Sequence, residues 1–284
     1  MKKVVLSILG GLILFFIGFF LIGVYLTNSF VDEQIEKLAA QAEEHQIQKF
    51  SQTKIDTLPQ PVRNYFNFAI ADSLIYPRFV RMKQEGKFKT NVGADYKKLT
   101  AEQYSITKEP GFIWSGDIYL ASFLWINGID TYLKERGDLL IKFMSGITIS
   151  KESGKEIAQA QVVRWLLEAA WYPTALLPSK NLIWRSIDST SAKLSYTHQE
   201  IKIDAEFHFN SDGSINKVTT QRYMTTTAGP QLTDYTGYFS DYKNVNGMMI
   251  PHHGEVEWKL ADQDFKYYVF DINEIEFDNF AAYE

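Results

Sequence analysis

The hydrophobic pattern changes character three times along the chain. Residues 4–26 read VVLSILGGLILFFIGFFLIGVYL, apolar throughout with one serine and no charge. As a helix they cover about 35 Å at about 1.5 Å per residue, enough to cross a hydrocarbon core of about 30 Å with some tilt. Residues 31–50 are polar with a thin apolar stripe at Val31, Ile35, Leu38 and Ala42. That spacing is helical and fades at His45, which predicts a solvated helical stalk with His45 at the surface. A coiled-coil dimer would need the stripe to run further. At residues 56–66 Asp56 or Thr57 is placed to cap a helix that carries a proline in its first turn. Val62, Tyr65, Phe66 and Ala69 then make one apolar face.

From Phe79 the period drops to two. Val80, Met82 and Phe88 alternate with Arg81, Lys83 and Lys87, and Phe112, Trp114 and Ile118 with Ser115 and Asp117. Leu139, Ile141 and Phe143 make a third short run, and Ile201, Ile203, Ala205, Phe207 and Phe209 alternate strictly with polar residues. Turns at 211–213, 244–247 and 261–264 separate the closing strands at 215–224, 248–260 and 265–277. One helix interrupts, at 153–170. Ser153 and Glu156 have capping-box spacing, and Ile157, Gln161, Val162, Trp165, Leu166 and Ala169 line one face. Pro173 stops it.

The pattern therefore predicts an α+β body of about ten strands and two packing helices, dominated by antiparallel pairing. A sheet that long curls, so a half-barrel around an apolar hollow is expected. The expected organisation is a cytoplasmic tail at 1–3, a transmembrane helix at 4–26, a stalk at 27–55 and one extracytoplasmic domain at 56–284. Lys2 and Lys3 precede the span and Asp32 and Glu33 follow it, which leaves the N-terminus cytoplasmic. The apolar run exceeds the length of a signal-peptide core, and no small-x-small site follows it, so an uncleaved anchor in the cell (inner) membrane is expected.

Composition narrows the function classes. The 284 residues contain no cysteine, which excludes disulfides, thiolate metal sites and thiol nucleophiles. Setting Lys2 and Lys3 aside leaves 27 basic against 34 acidic residues, a net charge of −7. An acidic body is a poor match to phosphate backbones, so no nucleic-acid partner is expected. Aromatics reach 15%, enough to line a hollow or fill a core.

No G-x-S-x-G, P-loop, G-x-G-x-x-G or H-E-x-x-H motif occurs. Three clusters carry possible chemistry. Asp204, Glu206 and His208 share a strand face, with His198 as a further candidate, but same-face neighbours lie almost 7 Å apart, and a charged face opposite an apolar one is ordinarily just solvated. His252 and His253 point to opposite faces of a strand. Arg164 and Glu168 stand one helical turn apart beside Trp165 and Trp171; they read as an ion pair, or as a polar mouth with Glu168 as acid or base.

Several blocks carry a resemblance. LPQPVRNY at 58–65, PGFIW at 110–114, RWLLEAAWYPTALLP at 164–178 and WRSID at 184–188 occur in order, followed by QRY at 221–223, DYKNVNGMMIP at 241–251 and EVEW at 255–258. The set resembles an uncharacterised bacterial family, a domain of unknown function found behind an N-terminal membrane helix. It covers roughly residues 58–277, and its most specific element is the block at 171–176. That family has a Gly-Glu pair before the helix arginine where this chain has Ala160-Gln161. The ending is also similar, more distantly, to lipoprotein-carrier-like half-barrels, which implies an apolar hollow for acyl chains.

The resulting expectation is a membrane-anchored extracytoplasmic binding protein for a lipid, acyl chain or lipid-bearing partner, working without covalent chemistry. Trp114, Trp165, Trp171 and Tyr172 are the expected ligand contacts. No cofactor and no metal are expected. The alternatives are an envelope hydrolase using Glu168, assisted by Arg164, and a structural or scaffold protein.

Overall fold

The computed structural model describes residues 2–283. Met1 of the expected tail and Glu284 of the expected body lie outside them. Helix α1 runs unbroken over Lys2–Glu43, so the apolar span and the predicted stalk are one rod. An 18-residue stretch of its apolar part is uncovered by protein, and the helix is compatible with a membrane anchor. Helix α2 covers Gln60–Ala69 and α3 Lys155–Glu168.

Thirteen strands follow α2 in chain order: β1 Phe79–Phe88, β2 Lys97–Ile106, β3 Phe112–Ala121, β4 Leu124–Leu133, β5 Arg136–Phe143, β6 Ile147–Ser153, β7 Leu182–Ser186, β8 Ser191–His198, β9 Ile201–Phe209, β10 Ile215–Thr226, β11 Gly229–Val245, β12 Met248–Lys259 and β13 Asp264–Phe277. They form one open sheet in the order β6-β5-β4-β3-β2-β1-β13-β12-β11-β10-β9-β8-β7. Hairpins join successive strands, and the long return from β6 through α3 to β7 takes the chain from one edge to the other. The first and last strands meet at the centre, where β1 pairs with β13 from Val80 opposite Phe277 to Phe88 opposite Tyr268.

Curvature follows from where α3 sits. It packs against β4, β5 and β6 near one edge and against β10 and β11 near the other. Strands β5 and β10 are eight steps apart in the sheet, about 38 Å if flat, whereas a helix with its side chains is about 10–12 Å wide. Both flanks touch one helix only because the sheet wraps around it. Gly137 of β5 permits the approach, since a Cβ there would stand 2.6 Å from Ala158 Cα of α3. The structure is the predicted α+β half-barrel, an antiparallel sheet with packing helices behind one N-terminal apolar helix.

The stalk is not solvated. Val31, Ile35, Leu38 and Ala42 are buried against Phe79, Tyr104, Ile106, Ile113 and Ile129 on the outer face of the sheet. The helix stops at Glu43 rather than continuing to residue 55. Nor is His45 a surface group: its side chain is 9% exposed and its Nε2 lies 3.3 Å from Glu109 Oε1. Neither predicted cap forms. Pro59 holds the N-cap position of α2, with no side-chain bond from Asp56 or Thr57. Gly154 holds that of α3, Ser153 having been drawn into β6. The apolar faces read for α2 and α3 are the buried ones, each large side chain contributing about 1.5–3 kcal/mol.

Candidate functional site

The inner face of the wrapped sheet and α3 enclose a hollow of about 470 Å³. Its walls are largely hydrocarbon and aromatic, including Ile126, Leu139, Ile141, Leu167 and Phe239. Alternation on the strands places these side chains inward. The lining residues that remain exposed, Thr90, Ile149 and Thr225, mark the mouth at the ends of β1, β6 and β10.

A polar cluster is built into one wall. Pairing sets Met82 opposite Gln103, Gln103 opposite Trp114, Trp114 opposite Asp130 and Asp130 opposite Leu139, one inward row across five strands. Arg164 of α3 descends onto that row. Its Nη1 donates to Asp130 Oδ2 at 2.6 Å and its Nε to Glu168 Oε1 at 2.7 Å. Its guanidinium lies 4.9 Å from the Trp114 ring centre. Burial alone would lower the arginine pKa, but Glu168 and Asp130 outweigh it and hold the guanidinium above its ordinary value. Gln103 Nε2 donates to Glu168 Oε2 at 2.6 Å. Behind it Gln84 Oε1 accepts from Trp114 Nε1 and from the Tyr268 hydroxyl, both at 2.9 Å. Each oxygen of Glu168 thus accepts a hydrogen bond from within the protein, which fixes the carboxylate against Arg164 and Gln103.

A second arginine stands apart. Arg222 of β10 lines the hollow, donates its Nε to Ala160 O at 3.0 Å and its Nη1 to the Tyr267 hydroxyl at 3.5 Å, and lies over Tyr235 and Trp258 at 5.2 and 5.7 Å. Among the described residues no carboxylate lies within ion-pair distance of it. Most of its five N–H donors are therefore free for an acceptor in the hollow.

The four expected ligand contacts separate into two pairs. Trp114 and Trp171 line the hollow. Trp171 also anchors the turn after α3, its Nε1 donating to Pro251 O at 2.8 Å. Trp165 and Tyr172 do not reach the hollow. They are 2% and 0% exposed, with Trp165 Nε1 bonded to Ile106 O and the Tyr172 hydroxyl to Trp165 O. The helical spacing that put Trp165 on the apolar face did not separate the side toward the hollow from the side toward the core.

The strand clusters do not converge. Asp204 bonds Ser195 and pairs with Lys193, His208 meets Glu206, and His198 turns to Glu135 at 2.7 Å on the β4–β5 turn. His253 sits between Asp271 and Glu255, whose charges raise its pKa against the lowering effect of burial. His252 bonds the Ile250 carbonyl. Sequence reading missed Asp130, Gln103, Gln84 and Arg222. Their signal was positional, since each occupies an inward step of a strand whose other inward residues are apolar or small.

Residues 56–277 match the model of a family described only as a family of unknown function. No curated protein matches the chain. Three solved structures are similar to it. A LolA superfamily protein from Nitrosomonas europaea is 11% identical over 76% of this chain and 91% of that one, with a TM-score of 0.39. A DUF1329 family protein from Desulfovibrio piger is 9% identical over 87% and 93%, with a TM-score of 0.43. A putative outer membrane lipoprotein-sorting protein domain from Vibrio parahaemolyticus is 9% identical over 71% and 86%, with a TM-score of 0.38.

Proposed function

The chain belongs to that family, DUF6920, and we propose that it is a membrane-anchored binding protein that holds an apolar ligand, a lipid or an acyl chain, in its hollow without covalent chemistry. In this reading α1 crosses the cell membrane once, the N-terminus is cytoplasmic and the β-rich body is extracytoplasmic. One observation carries the proposal. The curled sheet and α3 surround about 470 Å³ of mostly apolar space open at one end, within the roughly 300–1,000 Å³ typical of small-molecule sites.

Burying each methylene of a chain in such a space is favourable by about 0.8 kcal/mol. The hydrocarbon would lie against Trp114, Ile126 and Leu139. The polar end would meet Arg222, whose unspent donors suit a carboxylate or phosphate. Arg164 is shared between Asp130 and Glu168, and the three serve as a fixed polar wall that ties α3 to β4.

Native mass spectrometry of the full chain in detergent tests this. The expected result is a lipid-mass adduct on the wild type that is lost from Ile126→Glu, a variant that puts a charge into the hollow. An adduct absent from the wild type after purification from membranes, or retained by Ile126→Glu, overturns the reading. The hydrolase alternative predicts instead a turnover that Glu168→Gln abolishes.

A further inference from the structure

The strand turns nearest α1 touch the membrane helix itself. Thr27 Oγ1 donates to Ser145 O at 2.7 Å, and Lys142 Nζ donates to Thr27 Oγ1. One turn of helix lower, Gly23 and Gly146 abut, a Cβ on Gly23 falling 2.4 Å from Gly146 Cα. The rings of Phe19 and Phe20 lie against Gly146. The turn between β5 and β6 therefore stands beside residues 19–27, the last turns of the apolar span.

The neighbouring turn, between β3 and β4, is held level with it. Met144 N donates to Trp125 O at 3.0 Å, and Trp125 Nε1 to Ser145 Oγ at 3.3 Å. The large exposed side chains of this rim are apolar. Phe123 is 72% exposed, Ile149 57% and Ile147 47%. Ile149 is also a lip of the hollow. It lies three residues past Gly146, about 10 Å along a strand.

We propose that this rim, the turns at residues 122–123 and 144–146 with the start of β6, rests in the lipid leaflet around α1, so that the mouth of the hollow opens onto lipid. The occupant is fixed by the helix. A turn clamped to residues 19–27 sits at whatever depth those residues sit, and exposed Phe and Ile at that depth are covered by acyl chains. Lys142, bonded to Thr27 just past the apolar span, places a cation at the upper edge of that band, where a headgroup phosphate would lie. A ligand would then pass from leaflet to hollow without crossing water. This inference rests on reading α1 as membrane-spanning.

The absence of native cysteine makes single-cysteine labelling direct. Leu14→Cys on α1, Phe123→Cys on the rim and Lys108→Cys on the turn between β2 and β3 each receive an environment-sensitive fluorophore. Lys108 adjoins Glu109, which bonds Gln41, fourteen residues and so about 21 Å up the helix from Thr27. The full chain is placed in vesicles of equal parts phosphatidylcholine and phosphatidylglycerol carrying nitroxide-labelled acyl chains. The expected result is quenching at 14 and at 123 severalfold stronger than at 108. Quenching at 14 with none beyond the 108 level at 123 overturns the rim placement and leaves the anchor standing. No quenching at 14 overturns the anchor, and the rim placement with it.

Discussion

Replacing Arg164 with methionine removes the one cation paired with two enclosed carboxylates. In the native chain the side chains of Arg164, Asp130 and Glu168 are 12–13% exposed. Methionine keeps much of the hydrocarbon stem and its packing on Trp114, so the change isolates the charge. Breaking a buried pair from one side costs about 3–5 kcal/mol, because the stranded charge has lost its solvent and its partner. For a body of this size each kcal/mol moves the melting temperature about 2–4 °C. The expected fall is then about 6–20 °C, read by tryptophan fluorescence on the full chain in detergent. Adding Asp130→Leu and Glu168→Met should restore most of the loss at neutral pH, since an apolar cluster of similar volume carries no desolvation cost. A melting temperature within about 2 °C of wild type would refute the assignment of Arg164 to the scaffold.

Two further outcomes are expected. The Glu109 carboxyl is held down at about 2, chiefly by the bond from His45, with Gln41 assisting against the opposing effect of burial. A folded pKa below the ordinary 4.5 means that its contribution is present above pH 4.5 and is lost as the pH falls toward 2. Glu109→Gln should therefore melt below wild type at pH 7, with a gap that closes across that window; an equal gap at pH 7 and pH 2 contradicts the assignment. Arg222→Met should weaken binding of a fluorescent fatty acid about ten- to hundredfold, the worth of a charged hydrogen bond, and leave a fatty alcohol of the same length nearly unaffected. Equal losses for both would show that Arg222 contributes packing and not charge.

Much of the body was legible in its alternation and its turns. Strands β1, β3, β5 and β9 were visible because one parity is apolar and the other polar, and β10, β12 and β13 because turn residues bound them. The stretches that became β2 and β4 were harder, since each is buried on both faces. In β2, Leu99 and Ala101 face the hollow side while Tyr104 and Ile106 lie under α1. Residues that pack outward against a helix far away in sequence blur the period of two. The same contact explains the stalk. A thin 4-3-4 stripe is too narrow for a self-paired coil but wide enough for one sheet face, and only the sheet supplies the partner. Caps failed for a local reason: Ser153 has more to gain as the last ladder residue of β6, opposite Asp138, than as a hydroxyl at a helix start.

The site was legible only in part, because aromatic residues announce apolar space without saying on which side of a wall they stand. Trp114 and Trp165 look alike in sequence, yet one faces the hollow and the other is packed away from it in the main core, bonded to Ile106 O. Parity separates residue types more sharply when it is followed through the polar members of a strand. Val80, Met82 and Gln84 are one inward series, as are Leu99, Ala101, Gln103 and Ser105, and Val218, Thr220 and Arg222. A polar group at an inward step must find a partner or await one. Gln84, Gln103 and Asp130 have found theirs in Trp114, Glu168 and Arg164. Arg222 has found a carbonyl, the Tyr267 hydroxyl and two rings, which leave three of its five N–H donors without a protein partner among the described residues. That inequality between two arginines on one hollow separates scaffold from ligand contact: Arg164 is spent within the protein, and Arg222 is the one whose charge a ligand can use.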